Sequence, residues 1–168
     1  MPKTRIATIV LLGVALAVTI TARLVWATPG TSHPTLLGRG TFDELKVKRN
    51  SPALDVEVKA KTSFDVATQM ITFEPGQHSG WHSHPGPVFI TVLSGTMTFY
   101  DSDDPACSPV VVTAGQGLGV GFLDVGEHAH IARNESGATA INIVTYFAPV
   151  GVPLRIDQPQ PSNCPVFQ

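Results

Sequence analysis

From residue 56 to about residue 147 this chain alternates with a period of two, and it never shows a capped helical stripe. That restricts it to β-architecture. Val56, Val58 and Ala60 alternate with Glu57, Lys59 and Lys61, the pattern of a half-buried strand with one solvated face. Phe64 to Phe73 reads as a second strand, stopped by Glu74-Pro75-Gly76. Val88 to Leu93 turns through Ser94-Gly95 into Thr96 to Tyr100, and Pro109 to Thr113 ends at Ala114-Gly115. Leu118 to Val125, His128 to Arg133 and Thr139 to Phe147 complete the set. Short strands divided by Gly, Pro and Asn or Asp point to an antiparallel sandwich or barrel.

The flanks divide the chain further. Lys3 and Arg5 precede an apolar run from Ile6 to about Ala22, and Val25-Trp26-Ala27 offers a cleavage site. Residues 1–27 therefore read as a signal peptide, or as a membrane anchor if left uncleaved. A spanning helix needs about 20 apolar residues, and this run falls short of that. In either case the remainder is exported, to the cell envelope, periplasm or outside. Residues 28–55 read as a lead-in segment, 56–150 as the barrel and 151–168 as a proline-rich tail lying on it. Export makes a disulfide between Cys107 and Cys164, the two cysteines of the chain, the favoured reading. That bridge would tie the tail to the barrel. Charged residues are 14% of the chain with a net charge of -2 and no basic run, so nucleic acid is excluded as a partner.

Four of the six histidines form two His-x-His pairs, His82/His84 and His128/His130. Residues two apart on a strand share a face, so each pair sets two imidazoles side by side. If the two strands meet, three or four rings converge. Crowded imidazoles disfavour each other's protonation and each needs a partner; a metal ion uses their neutral lone pairs directly. Glu127 has the opposite parity to His128 and His130 and is expected to face away, while the orientation of Asp124 stays open. Trp81 alternates with His82 and is assigned to packing. Phe89 and Phe99 are assigned to barrel filling, and Tyr100 and Tyr146 are candidate cavity-lining groups.

The spacing resembles the two motifs of the cupin superfamily. Gly76, His82, His84 and Gly95 fall at the places of the first motif, and Gly119, His130 and Asn134 at those of the second. The resemblance implies a small single-domain cupin, an antiparallel jelly-roll β-barrel, with His82, His84 and His130 as metal ligands. His128 and His78 are further candidates without a family position. Two departures matter: Val88 stands where the family has a ligating Glu, and Val125 and Glu127 replace a Pro and a Gly. Three neutral imidazoles would leave the full charge on a divalent ion and positions open to water or substrate. The implied cofactor is a divalent transition metal, Zn, Fe, Cu or Ni, since all suit imidazole. The implied partner is a small-molecule ligand or substrate, with a homodimer left open and the membrane relevant only if the N-terminal segment stays attached. Function then lies between a metal-dependent enzyme of oxygenase, isomerase or decarboxylase type and a non-catalytic module that binds a small ligand with or without metal.

Overall fold

A computed structural model describes residues 28–115 and 119–167. The signal or anchor segment, residues 1–27, lies outside the described residues. Among those described, every regular element is a strand: β1 (His33–Phe42), β2 (Leu45–Ser51), β3 (Leu54–Ala60), β4 (Phe64–Phe73), β5 (His82–Ser83), β6 (Val88–Ser94), β7 (Thr96–Asp101), β8 (Val110–Thr113), β9 (Val120–Asp124), β10 (His130–Arg133), β11 (Ala140–Pro149) and β12 (Ile156–Asp157). Two five-stranded antiparallel sheets, ordered β1-β4-β11-β6-β9 and β12-β5-β10-β7-β8, face each other, and β2-β3 forms a separate ribbon.

The period of two works as the pleat requires. In β11, Ala140, Asn142, Val144, Tyr146 and Ala148 are buried while their neighbours are only partly covered. In β6, Val88, Ile90 and Val92 point inward. These pack with Phe73, Met97, Phe99 and Ala132 into one core, and Phe99 stacks on Phe122 at 4.3 Å. Phe89 departs from its expected role: with Val88 inward it points out and is 53% exposed. Both faces of β6 are apolar in sequence, so parity could not be set from that strand alone.

The N-terminal part holds more structure than a lead-in. β1 pairs with β4 along its length, from His33↔Thr72 to Phe42↔Phe64. It is anchored by Arg39, whose Nε and Nη2 donate to Asp65 Oδ2 at 2.9 and 2.6 Å. As an exposed edge strand it has no buried face, and so no alternation to read. β3 is likewise not half-buried: Val56 and Val58 are 41% and 38% exposed, because β3 pairs with β2 alone rather than lying on the core.

The second sheet is covered on both sides. Its inner face meets the core, and its outer face carries Trp81, Tyr100 and Ile131 beneath the C-terminal tail. The Cys107–Cys164 disulfide fixes that tail. Trp81 Nε1 donates to Gln160 Oε1 at 2.8 Å, Gln158 Nε2 donates to Ser83 Oγ at 2.9 Å, and β12 pairs with β5. Trp81 thus packs away from its neighbour His82, as alternation requires.

Candidate metal centre

Each of the three motif histidines reaches the same interior point by a different local device. β5 and β10 are antiparallel neighbours with His130 directly opposite His82, so these two side chains share the inner face by register alone. His84 follows β5 and enters through the Pro85-Gly86-Pro87 turn, where its carbonyl accepts the Glu127 N–H at 3.1 Å. Gly126 makes that closure workable. Its φ is 85°, and a Cβ there would lie 2.7 Å from the Gly86 carbonyl oxygen.

The ring centroids stand 4.7 Å apart for His82 and His84, 4.3 Å for His82 and His130, and 5.0 Å for His84 and His130. All three residues are buried, and each offers a nitrogen within 4.8 Å of the others'. Ligands about 2 Å from one ion lie roughly 3–4 Å from each other, so closing on an ion takes only small side-chain movement. Two tautomers are fixed by geometry. His82 Nδ1 donates to the Gly80 carbonyl at 2.8 Å and His84 Nδ1 to the Leu154 carbonyl at 2.6 Å. A carbonyl only accepts, so each Nδ1 carries the proton and each Nε2 presents a lone pair to the cluster. His130 Nδ1 has no hydrogen-bond partner. Fixed rings, free lone pairs and an orphaned buried nitrogen fit a cation.

Burial is the first cause that holds the rings neutral. It pushes His82 well below the ordinary imidazole value, with the charges of His130, Arg155 and His84 adding to it. His84 is lowered to about 4 by burial and His130, against the opposing Leu154 carbonyl and Asp124. His130 is lowered by burial, opposed by Asp124 and Asp101. In the metal-free protein His84 therefore stays neutral between pH 6.5 and about 4, where the unfolded chain takes up the proton. Stability is whole above pH 6.5 and falls as pH drops toward 4, by on the order of 3 kcal/mol from this ring. Urea titrations of metal-stripped protein at pH 7.5 and 4.5 should show that loss, and equal midpoints would refute it.

The remaining candidates lie elsewhere. His128 is half-exposed, with Nδ1 3.6 Å from Asp103, outside the cluster. Its expected parity with His130 fails because β10 begins only at His130, leaving His128 in the bend that follows Gly126 and Glu127. Glu127 itself is exposed, as expected. His78 bridges to Arg133 on the barrel's flank, and its Nδ1 accepts the Gly80 N–H at 3.0 Å. Tyr146 lies over the His84 ring at 5.3 Å and donates to Gln69 Oε1, whereas Tyr100 donates to Glu135 under the tail. Asn134 is wholly buried and serves the fold, donating to the Phe73 and Ala138 carbonyls.

Asp124 is the group that sequence reasoning left undecided. It is buried, and its Oδ2 has no hydrogen-bond partner, lying 3.5 Å from His130 Nδ1 and 3.9 Å from His84 Nε2. Phe122 shares its inward parity, the one signal in the sequence that could have placed it.

A cavity of about 30 Å³ lies against the three rings, lined also by Phe73, Phe99, Asn142 and Tyr146. A cleft of about 120 Å³ reaches His130 and Asp124 from the other side, between Tyr100, Asp104, Val110 and Leu123.

The family model for a cupin domain matches residues 69–144, which contain all three clustered histidines. No curated protein matches the chain. Among solved structures the chain is similar to a cupin domain from Bordetella pertussis, at 16% identity over 73% of this chain and 97% of that one, TM-score 0.43. It is also similar to a cupin superfamily protein from Desulfitobacterium hafniense, at 9% identity over 74% and 84%, TM-score 0.46. A further likeness is to the polyketide cyclase RemF from Streptomyces resistomycificus, at 19% identity over 58% of this chain and 63% of that one, TM-score 0.44.

Proposed function

We propose that this chain, a member of the cupin superfamily by its residues 69–144, holds one divalent transition metal on His82, His84 and His130 and presents it to a small ligand. The observation that carries this is the buried trio itself. Two Nε2 lone pairs face a third ring, and within the protein only the carbonyls behind the rings are engaged. Imidazole donors suit Zn, Fe, Cu or Ni. Such an ion supplies Lewis acidity, polarising an oxygen ligand or acidifying bound water. The protein's share is to hold the rings neutral and oriented and to limit access. A volume of about 30 Å³ beside the rings admits little more than a water molecule's worth of ligand, so the ligand has few heavy atoms. The positive charge of Arg155, felt by all three rings, favours an anion over a cation.

Export remains part of the reading. The Cys107–Cys164 disulfide suits an oxidising compartment, and the N-terminal segment has the make-up of a signal or anchor. Catalysis is a second reading, favoured by the cleft that opens onto His130 and Asp124. Turnover of small acids and carbonyl compounds, compared with and without metal, separates a catalyst from a binding module. The central test is elemental analysis of natively purified protein. About one equivalent of metal per chain is expected. Protein that stays empty after incubation with Zn²⁺, Fe²⁺, Cu²⁺ and Ni²⁺ would refute the metal centre.

A further inference from the structure

Val88 occupies the family's carboxylate position on β6, fully buried and facing the interior. Its cross-strand partner in β9 is Asp124. Directly opposed residues of an antiparallel pair point to the same face, with Cβ atoms about 5 Å apart. A carboxylate absent from β6 is thus present one strand over, on the same inward surface. Asp124 is held there by its other oxygen, since Oδ1 accepts the Gly126 N–H at 3.0 Å.

What Oδ2 meets decides its role. His84 Nε2 cannot donate to it, because the proton of that ring sits on Nδ1 and is engaged by Leu154. Two buried acceptors therefore face each other at 3.9 Å. That is too long for a hydrogen bond and repulsive in a low-dielectric interior. A cation between them removes the conflict, and 3.9 Å matches the separation of about 3–4 Å between two ligands of one ion. Asp124 stands outside the group of histidine nitrogens lying within 4.8 Å of one another, so joining all three on one ion takes a swing of its carboxylate toward His82. His130 Nδ1, which has the His128 backbone beside it but no hydrogen bond of good geometry, lies 3.5 Å from the same oxygen.

We propose that Asp124 is the fourth protein ligand, binding through Oδ2 and replacing from β9 the carboxylate that Val88 removes from β6. The assignment rests on the reading of the histidine cluster as a metal centre. It also revises the expected electrostatics: a site of three imidazoles and one carboxylate carries one positive charge rather than two, so it is a milder Lewis acid than Val88 alone implies.

The experiment measures Zn²⁺ affinity of the full chain by chelator competition, with thermal unfolding of each metal-free variant as the check on folding. Asp124→Asn keeps an oxygen for the Gly126 turn and removes the charge. It is expected to weaken Zn²⁺ binding at least about 100-fold without lowering the metal-free melting temperature. Asp124→Val is expected to be as weak, and Val88→Glu/Asp124→Val to recover to within about tenfold of the parent. Because a glutamate at position 88 can ligate whatever the role of Asp124, Val88→Glu alone is the control. With Asp124 already filling the fourth position, it is expected to change the parent's affinity by less than about tenfold, and a larger gain overturns the proposal. Parent-like affinity in Asp124→Asn, or a double variant no tighter than Asp124→Val, overturns the proposal and leaves the three-histidine centre standing. A parent chain that binds no Zn²⁺ ends both.

Discussion

The double variant His82→Ala/His84→Ala is expected to retain no divalent metal, while its metal-free form unfolds at no lower temperature than the parent's. Site binding energies of about 10 kcal/mol or more are shared among a few ligands, so deleting two donors costs roughly half. That is more than a thousandfold in affinity. The second half of the expectation follows from burial. His82 and His84 are 7% and 4% exposed, and their Nε2 atoms face a cavity of about 30 Å³ rather than a donor in the protein. Crowding three neutral imidazoles, with little water to serve them, is a cost to the empty fold. Removing two of them relieves that cost, which offsets the packing lost with the rings. Inductively coupled plasma mass spectrometry and paired melting curves decide the matter. A variant that keeps about one equivalent of metal, or whose empty form is much less stable than the parent's, would place the two histidines in the packing rather than the metal centre.

A comparable effect is expected at the tail. Replacing Cys107 and Cys164 by Ser opens a loop spanning 57 residues, which in the chain-entropy account removes about 4 kcal/mol. For a chain of this size the melting temperature should fall by on the order of 10 °C. The loss should reach the histidines as well. Leu154, whose carbonyl orients His84, lies in the tail, and so does β12, which pairs with the His82 strand. A freed tail therefore leaves two rings less fixed, and metal affinity should drop by about tenfold. Calorimetry and chelator competition on the Cys107→Ser/Cys164→Ser variant test both parts. An unchanged melting temperature refutes the stabilising role, and unchanged affinity refutes the coupling.

What the chain disclosed in advance depended on how much each stretch is buried on one side. β4, β6, β7 and β11 carry the inner face of the barrel, and all four were legible as strands, although the inward parity of β6, apolar on both faces, was not. The three clustered histidines followed from parity and motif spacing, and the turn glycines agree. Gly95 has φ 75°, where a Cβ would lie 2.7 Å from the Thr139 carbonyl oxygen. β1 was hidden because an edge strand exposed along its whole length has no apolar rhythm. The β2-β3 ribbon misled for the opposite reason. Its alternation is genuine, with Val47 opposite Val58 and Lys48 opposite Glu57, but the apolar face is not covered. His128 was misplaced because the turn through Gly126 and Glu127, both of positive φ, still holds it, and extended strand begins only at His130. The inward parity of Asp124 was readable from Phe122, but its place beside the histidines required strand register. Only pairing β9 with β6 brings it opposite Val88, and pairing between strands 36 residues apart is not written in either one.

The strand at the heart of the first sheet follows all four of its sheet-mates in the chain. β11 lies between β4 and β6, joining Phe73 to Ala140 and Phe64 to Pro149. While the polypeptide is being made, β4 and β6 each wait for the neighbour that will lie between them, and contacts of such long span form slowly. The nascent chain therefore carries bare sheet edges until residue 149 has emerged, and the barrel can close only after that.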